Sequence, residues 1–368
     1  MRLCADVALQ RGLLALEVRL EVPSGGVTAV LGPNGSGKTT LLSALAGLLP
    51  LERGSVALVD DGDGANGEPP DPMHRVWEDR GAGTRLPADR RRVGLVVADH
   101  LLFPHLSVLD NVAYGPRSRR AGRREARERA QHELEAVGLG DRAGDRPSAL
   151  SSGQAQRAAL ARALATDPEL LLLDEPLSAL DPQTRARTRA DLAHRLRGFG
   201  GATVLVTHDP LDALTLGEEL VFLESGRVAQ RGRAADVVAR PRSAYVAEVV
   251  GLNLLRGEAL DDHRVRVGTT TVAVSPDPGL LPAQDAWVSI APTAVALYAD
   301  RPAGSPRNTW PLTVVDVQPA GQSARVGLSG PVELAAEVTT AAVADLRIAV
   351  GQRLWAAVKA SEVRAYPA

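Results

Sequence analysis

The sequence predicts an α/β domain followed by a small all-β domain. From Leu13 to about Arg240, in a chain of 368 residues, apolar strand-like runs alternate with helix-like segments, which predicts a largely parallel sheet with helices between its strands. The run Leu170–Leu173 is apolar at every position, which is typical of a parallel strand covered on both faces. After Pro241, short β-like runs alternate with Gly and Pro. A chain of this length is too long for one ordinary core, so we expect two domains, 1–240 and 241–368.

The first domain divides into elements that its pattern indicates. We expect strands at Val27–Leu31, Val93–Val97, Leu170–Leu173, Thr203–Val206 and Leu220–Leu223. We expect helices at Thr39–Leu48, Gln154–Ala165, Pro182–Arg197 and Pro210–Leu216. The last helix has the clearest start, because Asp209 is a typical N-cap residue and Pro210 a typical first-turn residue. The segment Asp60–Arg85 is rich in Gly, Pro and Asp, and we interpret it as a long exposed loop.

An internal repeat organises the region after Pro241. The run Ala286–Val295 matches Leu354–Val363, and Tyr298 and Tyr366 extend the match at the same offset. Coincidence between two Val- and Ala-rich strands is the weaker explanation, because the matched positions include Trp and Tyr. Two related β units predict a small barrel or a pair of barrels.

Composition argues against some functions. The 42 Lys and Arg nearly balance the 44 Asp and Glu, so a net charge of −2 gives no general basis for binding nucleic acid. The run Arg117–Arg129 alternates Arg with Glu and is typical of a solvated helix face. Cys4 is the only cysteine, which excludes an intrachain disulfide. We expect neither a secretory signal nor a stretch of the ~20 apolar residues that span a bilayer, so a role at a membrane requires other chains that cross it.

A phosphate-binding loop is the strongest single motif. Residues 32–39 fit G-x-x-x-x-G-K-[ST] and lie between a β run and a helix. Glycines allow backbone N–H groups to surround a phosphate, and the helix adds its positive N-terminal end. We expect Lys38 to neutralise the β and γ phosphates and Thr39 to bind Mg²⁺. The predicted nucleotide-binding residues of this loop are Gly32, Pro33, Asn34, Gly35, Ser36, Gly37, Lys38, Thr39 and Thr40.

Two carboxylates follow the apolar run Leu170–Leu173. Asp174 is predicted to hold Mg²⁺ together with Thr39, and Glu175 to orient or deprotonate the attacking water. Alone, an apolar run that ends in Asp-Glu could also be a strand leaving the core.

With these motifs in place, the sequence resembles the ABC ATPases over about residues 13–240. Leu150–Gln154 resembles the family's signature, Ser178–Asp181 its D-loop and Thr207–Asp209 its switch. The resemblance implies a P-loop ABC ATPase domain with a helical subdomain, and ATP and Mg²⁺ as cofactors.

The resemblance also implies roles for residues outside the phosphate loop. Ser151, Gly153 and Gln154 would bind the ATP held by a partner subunit, since a helix N-terminus attracts phosphate. Asp181 would belong to the loop that communicates between the two nucleotide sites. His208 would contact the γ-phosphate, which makes Glu175 and His208 the expected catalytic residues.

The sequence departs from the family pattern at three places. Ala98 occupies the position where the family usually has Gln, and alanine can neither coordinate Mg²⁺ nor position water. No aromatic residue precedes Trp77, so adenine would meet only the apolar side chains of Leu13 or Leu14. Ser152 replaces the first glycine of the signature.

The region after Pro241 resembles the molybdate-binding β domain of molybdate importer ATPases, a small OB-like barrel. The match extends from Ser305–Asn308 through Ala336–Ala342 to Val358–Val363. A tetrahedral oxyanion needs hydroxyl and N–H donors and some positive charge. The predicted oxyanion-binding residues are Ser305, Arg307, Lys359 and Ser361. Importers of sulfate, ferric iron or polyamines carry similar barrels, and a barrel used only for regulation or dimerisation is the alternative.

Together the resemblances imply a homodimeric ATPase that energises uptake of molybdate or tungstate. It would dock beneath two membrane-spanning permease subunits at the cytoplasmic face of the inner membrane, with a substrate-binding protein outside. One rival hypothesis is a nucleotide- and oxyanion-sensing regulator, which Ala98 favours and which Glu175 and His208 oppose. A second rival is an ABC protein acting on DNA or ribosomes, but such proteins usually bring a second cassette, zinc cysteines or long coiled coils.

Overall fold

The computed structural model describes residues 1–60, 75–97, 102–178 and 180–368. Their contacts divide them into two compact units, Met1–Ala234 and Ala235–Ala368. The domain boundary expected between residues 240 and 241 stays a prediction. Among the described residues, no helix is both long enough and apolar enough to cross a membrane.

The first unit is built on an 11-stranded sheet in the order β6-β5-β4-β1-β2-β11-β10-β3-β9-β8-β7. Its strands are β1 Arg2–Arg11, β2 Leu14–Val22, β3 Val27–Leu31, β4 Arg53–Val59, β5 Arg75–Asp79, β6 Thr84–Arg85, β7 Val93–Val96, β8 Leu170–Asp174, β9 Ala202–Val206, β10 Glu219–Glu224 and β11 Arg227–Arg233. The strands β10, β3, β9, β8 and β7 pair in parallel. The strands β6, β5, β4, β1 and β2 pair antiparallel, which corrects the expectation of a largely parallel sheet.

Six helices of the first unit fall within its described residues. They are α1 Lys38–Leu45, α2 Val108–Ser118, α3 Arg123–Ala136, α4 Ser152–Leu164, α5 Pro182–Arg197 and α6 Pro210–Leu216. α5 and α6 have the predicted bounds, because Asp181 and Asp209 cap them and a proline follows each cap. α1 packs into the main core of the sheet, whereas α2, α3 and α4 share a separate core. This second core defines the helical subdomain.

The segment Asp60–Arg85 is only partly the exposed loop that its composition predicts. Residues 61–74 lie outside the described residues, but Arg75–Asp79 forms the strand β5. Trp77 and Glu78 are fully buried, and the carboxylate of Glu78 pairs at 2.8 Å with the buried guanidinium of Arg91. The loop prediction is therefore wrong here, because two buried side chains anchor a strand inside a stretch dominated by Gly, Pro and Asp.

The second unit is mainly β structure around one apolar core. Its strands are β12 Asn253–Asp261, β13 Arg264–Val267, β14 Thr270–Ala273, β15 Asp285–Ile290, β16 Ala296–Tyr298, β17 Asn308–Ala320, β18 Ser323–Ser329, β19 Leu334–Thr339, β20 Arg353–Val358 and β21 Val363–Pro367. They form two five-stranded sheets in the orders β14-β13-β12-β15-β21 and β16-β20-β17-β18-β19. Short helices lie at α7 Ala234–Ala239, which begins one residue before this unit, α8 Ala244–Val249 and α9 Thr340–Asp345.

The structure confirms the internal repeat. Each copy is a strand, a 3-10 turn and a second strand, with the turns at Pro292–Ala294 and Ala360–Glu362. The first strand of each copy pairs with the second strand of the other, so that Trp287 faces Tyr366 and Trp355 faces Tyr298 across the ladders. The two copies are therefore interlocked.

Two buried asparagines tie the sheets to each other. The side chain of Asn253 exchanges two hydrogen bonds with the backbone of Ala335, at 2.6 and 2.9 Å. The side chain of Asn308 exchanges two with the backbone of Ala273, at 2.7 and 2.8 Å. Each amide thus acts as an extra peptide group for an edge strand of the opposite sheet, which satisfies buried polar groups on both sides.

Candidate functional site

The phosphate loop lies between β3 and α1, as the motif predicts. Its glycines are required by geometry, because Gly37 has φ of 108° and a side chain at Gly32 would meet the carbonyl oxygen of Leu223 at 2.3 Å. Lys38 is the first residue of α1, and its ammonium donates to the carbonyl oxygens of Gly32 at 2.7 Å and Pro33 at 3.0 Å. The ammonium of Lys38 is therefore held by the backbone of the phosphate loop itself. A bound phosphate can replace these carbonyl oxygens as its partner.

Burial and neighbouring charges shift the pKa values of Lys38 and Asp174. Burial lowers the pKa of Lys38, and the charges of Glu175 and Asp174 partly oppose that effect. Burial raises the pKa of Asp174, with Glu175 adding to the rise and a hydrogen bond from Thr39 and the charge of Lys38 opposing it. The side chains of Asp174 and Thr39 therefore lie near each other at the start of α1.

Glu175 occupies a distinctive backbone position at the end of β8. Its φ is 49°, in the left-handed region that non-glycine residues rarely adopt. The N–H of Glu175 donates to the carbonyl oxygen of Val206 at the end of β9, at 2.9 Å. This turn directs the chain out of the sheet immediately after Asp174. As a result Asp174 is buried, whereas the side chain of Glu175 is partly exposed.

Glu175 and His208 meet directly. Nδ1 of His208 lies 2.5 Å from Oε2 of Glu175, and the imidazole is 58% exposed. Because an ionised carboxylate can only accept, Nδ1 carries the hydrogen of this bond whenever Glu175 is charged. The ends of β8 and β9 thus bring together the two residues that the sequence predicts as catalytic.

The signature starts the helix α4 in the helical subdomain. The hydroxyl of Ser151 accepts from the N–H of Gln154 at 3.3 Å, and the N–H of Ser151 donates to the side chain of Gln154 at 2.9 Å. This reciprocal cap leaves Ser151 exposed, while Gly153 is buried. Helix N-termini attract anions in general, so this end of α4 is compatible with the role that the resemblance implies for Ser151, Gly153 and Gln154.

The two leucines expected to meet adenine lie at and beside the turn between β1 and β2. Leu13 is fully exposed at the turn between β1 and β2, while Leu14 packs close to Gly37 of the phosphate loop. Arg11, which precedes this turn, donates to the Thr40 hydroxyl at 3.3 Å. Ala98, in the position of the family's glutamine, lies outside the described residues.

The four predicted oxyanion donors are all exposed in the single chain. Ser305 and Arg307 precede β17, and Lys359 and Ser361 follow β20. The antiparallel register pairs Asn308 with Val358, so Arg307 and Lys359 are the next residues along the two strands. The positions of the other repeat copy that correspond to Lys359 and Ser361 hold Ala291 and Thr293.

Sequence reasoning missed two arginines that contact the elements forming the site. Arg185 contacts both the D-loop and the switch, and Arg91 donates to the carbonyl oxygens of Ala44 and Leu45 at the end of α1. The only available signal for Arg185 is its place in the first turn after the Asp181 cap. Nothing in a linear pattern indicates the contact of Arg91 with α1, because Leu45 and Ala44 are 46 and 47 residues away.

Fold and site together define an ATP-binding cassette. The ABC transporter family matches residues 16–178, and a TOBE domain matches residues 304–365. The chain belongs to the ABC transporter family of ATP-binding proteins, which hydrolyse ATP.

Relatives of known type resemble both units. The molybdenum import ATP-binding protein ModC of Mycobacterium tuberculosis is 42% identical over 362 residues, covering 96% of this chain and 94% of that protein. The molybdate/tungstate import ATP-binding protein WtpC of Pyrococcus horikoshii is 30% identical, covering 95% of each chain. The sulfate/thiosulfate import ATP-binding protein CysA of Mycobacterium bovis is 40% identical, covering 72% of this chain and 71% of that protein.

A solved structure supports the cassette fold. The ATP-binding cassette MJ0796, in a dimeric post-hydrolysis state bound to ADP and Pi, is 29% identical with a TM-score of 0.50. The similarity covers 63% of this chain and 98% of that chain.

Proposed function

We propose that this chain is the ATP-hydrolysing subunit of an ABC importer for molybdate or tungstate. The observation that supports this choice of cargo is the match to ModC, which extends over both units at 42% identity. The match to CysA covers only 72% of the chain. Two copies would form a homodimer beneath two permease subunits, at the cytoplasmic face of the cell membrane. A substrate-binding protein outside the membrane would deliver the oxyanion.

The phosphate loop, in this proposal, holds the nucleotide. The triphosphate takes the place of the carbonyl oxygens of Gly32 and Pro33 as the partner of the Lys38 ammonium. The loop N–H groups and the start of α1 supply further donors. Because burial already disfavours the charged lysine, a polyanion restores favourable electrostatics at this point.

Mg²⁺ fits the residues present. The hydroxyl of Thr39 and the carboxylate of Asp174 are hard oxygen ligands that lie near each other, and Mg²⁺ usually takes one or two protein ligands with phosphate and water. The raised pKa of Asp174 also fits a carboxylate that gains from a cation beside it. When bound, the ion would neutralise charge on the β and γ phosphates.

Glu175 and His208 would carry out the hydrolytic step. Glu175 accepts a proton from the attacking water, and the His208 contact at 2.5 Å keeps the carboxylate oriented. The strained backbone at Glu175 fixes where this carboxylate lies. Ser151, Gly153 and Gln154 would bind the γ-phosphate of ATP on the partner subunit, with Asp181 in the loop between the two sites.

Oxyanion uptake by living cells tests this proposal. The chain is expressed with its permease subunits in bacteria that lack their own molybdate-import ATPase. We expect restored uptake of molybdate and loss of that uptake in Glu175→Gln, because an amide cannot accept the proton. The Glu175→Gln protein should still bind ATP. Restored uptake of sulfate without molybdate would contradict the proposed cargo.

A further inference from the structure

One guanidinium joins the D-loop to the switch. Arg185 lies in the first turn of α5 and directs its side chain back across the turn that precedes the helix. It donates to the carbonyl oxygens of Leu177 at 3.1 Å, Ser178 at 3.1 Å and Leu180 at 3.4 Å. Its remaining nitrogen donates to the carboxylate of Asp209 at 3.0 Å. Arginine suits this arrangement, since its planar fork offers several donors in fixed directions.

Two of the groups that Arg185 binds, Asp209 and Ser178, are linked to the catalytic pair. Asp209 follows His208 directly and caps α6, accepting from the N–H of Leu211 at 2.8 Å. The N–H and the hydroxyl of Ser178 both donate to the carbonyl oxygen of Glu175. A shift of the Arg185 guanidinium therefore acts on both loops that hold the Glu175–His208 pair.

The turn that Arg185 binds also packs against the signature. A side chain at Gly153 would lie 2.8 Å from Cγ2 of Thr184 and 3.6 Å from Cδ2 of Leu180. The start of α4 thus packs directly on the residue before Arg185 and on one of the residues that Arg185 binds. Movement of the signature helix is transmitted to this turn by van der Waals contact.

We propose that Arg185 is a positioning residue that couples the two nucleotide sites of the dimer. The signature touches the ATP of the partner subunit, Thr184 and Leu180 transmit its position to Arg185, and Arg185 sets the D-loop and switch around Glu175 and His208. The coupling rests on the proposed ATPase function and on nucleotide shared between two copies. Loss of Arg185 should uncouple the sites while leaving nucleotide binding to the phosphate loop intact.

The next turn of the same two helices provides a matched control. Arg189 on α5 pairs with Asp212 on α6 at 2.6 Å, and both side chains are nearly buried. This pair fastens α5 to α6 as the Arg185–Asp209 pair does. Within the part of the chain that the structure describes, the Arg189 guanidinium donates to Asp212, which lies one helical turn beyond the switch.

The experiment compares ATP hydrolysis by full-length wild-type protein, Arg185→Ala and Arg189→Ala. Initial rates are measured over a range of ATP concentrations, with the thermal midpoint and the affinity for ATP measured alongside. We expect the wild type to respond cooperatively. We expect Arg185→Ala to lose about tenfold in kcat and to show a Hill coefficient near one, with ATP affinity within about twofold of wild type. Arg189→Ala should lower the thermal midpoint and keep the cooperativity.

A second pair of variants guards against a purely structural effect. Asp209→Asn keeps the helix cap and removes the charge that Arg185 binds, so it should reproduce the loss of cooperativity. In the double variant with Arg185→Ala, the two effects on kcat should not add, because they remove the same contact.

Three results would overturn the coupling role. They are a wild type without cooperativity, an Arg185→Ala protein that stays cooperative, and an Arg189→Ala protein that loses as much cooperativity as Arg185→Ala. Each leaves ATP hydrolysis and cargo uptake by the wild type unaffected, so the proposed function survives such a failure. A wild type that hydrolyses no ATP would instead remove the basis of both.

Discussion

The nucleotide site of the first unit and the predicted oxyanion donors of the second unit differ in their surroundings. The charged side chains of the nucleotide site are held by protein partners. Lys38 is buried and donates to a carbonyl oxygen of the loop, and Glu175 is held by the backbone of β9 and by His208. The oxyanion donors, such as Lys359, project from strand ends and are exposed. The charged groups of the nucleotide site are therefore already in place without a ligand, whereas the predicted oxyanion donors would have to be brought together around one.

The two repeat copies of the second unit share a fold but differ at the positions of two predicted oxyanion donors. They share their pairing pattern and their Trp and Tyr positions, but Lys359 and Ser361 in one copy correspond to Ala291 and Thr293 in the other. The fold of each copy is therefore independent of the donors. Of the two copies, only the one with Lys359 and Ser361 holds predicted oxyanion donors.

Replacing Lys38 should have the largest effect and should be confined to the first unit. In Lys38→Ala the phosphates lose their main side-chain cation, so we expect ATP affinity to fall roughly 100-fold, as for loss of charge-assisted hydrogen bonds in a partly buried site. An equilibrium nucleotide titration measures this. Oxyanion affinity, titrated on the same protein, should stay within about twofold of wild type. Near-normal ATP affinity would remove Lys38 from the site.

Mixing two inactive proteins should show whether the nucleotide site extends across a dimer. Lys38→Ala chains keep their signature and Ser151→Arg chains keep their phosphate loop, so a heterodimer of the two has one complete site. We expect an equal mixture to reach up to about a quarter of wild-type ATPase activity, because half of the dimers are mixed and each has one site. Activity no higher than that of either variant alone would show that the signature acts within its own chain.

Motifs that depend on local geometry could be predicted from the sequence. The phosphate loop and the start of α6 at Asp209 follow from turn residues and a helix cap, whereas the catalytic role of His208 is implied by the resemblance to the ABC ATPases. The repeat could be recognised because its Trp and Tyr positions recur at one offset. These features are encoded within a few residues of each other or in a recurring spacing.

Features that depend on distant packing could not be predicted. The strand at Arg75–Asp79 exists because Glu78 pairs with Arg91 in the core, and its composition gives no hint of that partner. The position of Arg185 between the D-loop and Asp209 depends on the spatial meeting of α5 and α6. The exposure of the oxyanion donors depends on where the strands of the second unit end.

Titration of the full-length protein with molybdate, tungstate and sulfate tests the cargo assignment most directly. We expect molybdate and tungstate to bind and sulfate to bind at least about tenfold more weakly. Lys359→Ala and Ser361→Ala should each weaken molybdate binding, by up to about tenfold, because the oxyanion loses a hydrogen bond that in the lysine case is charge-assisted. Thr293→Ala, the matched control in the other repeat copy, should leave it unchanged. Absence of molybdate binding, or equal binding of sulfate, would contradict the assignment of this ATPase to molybdate import.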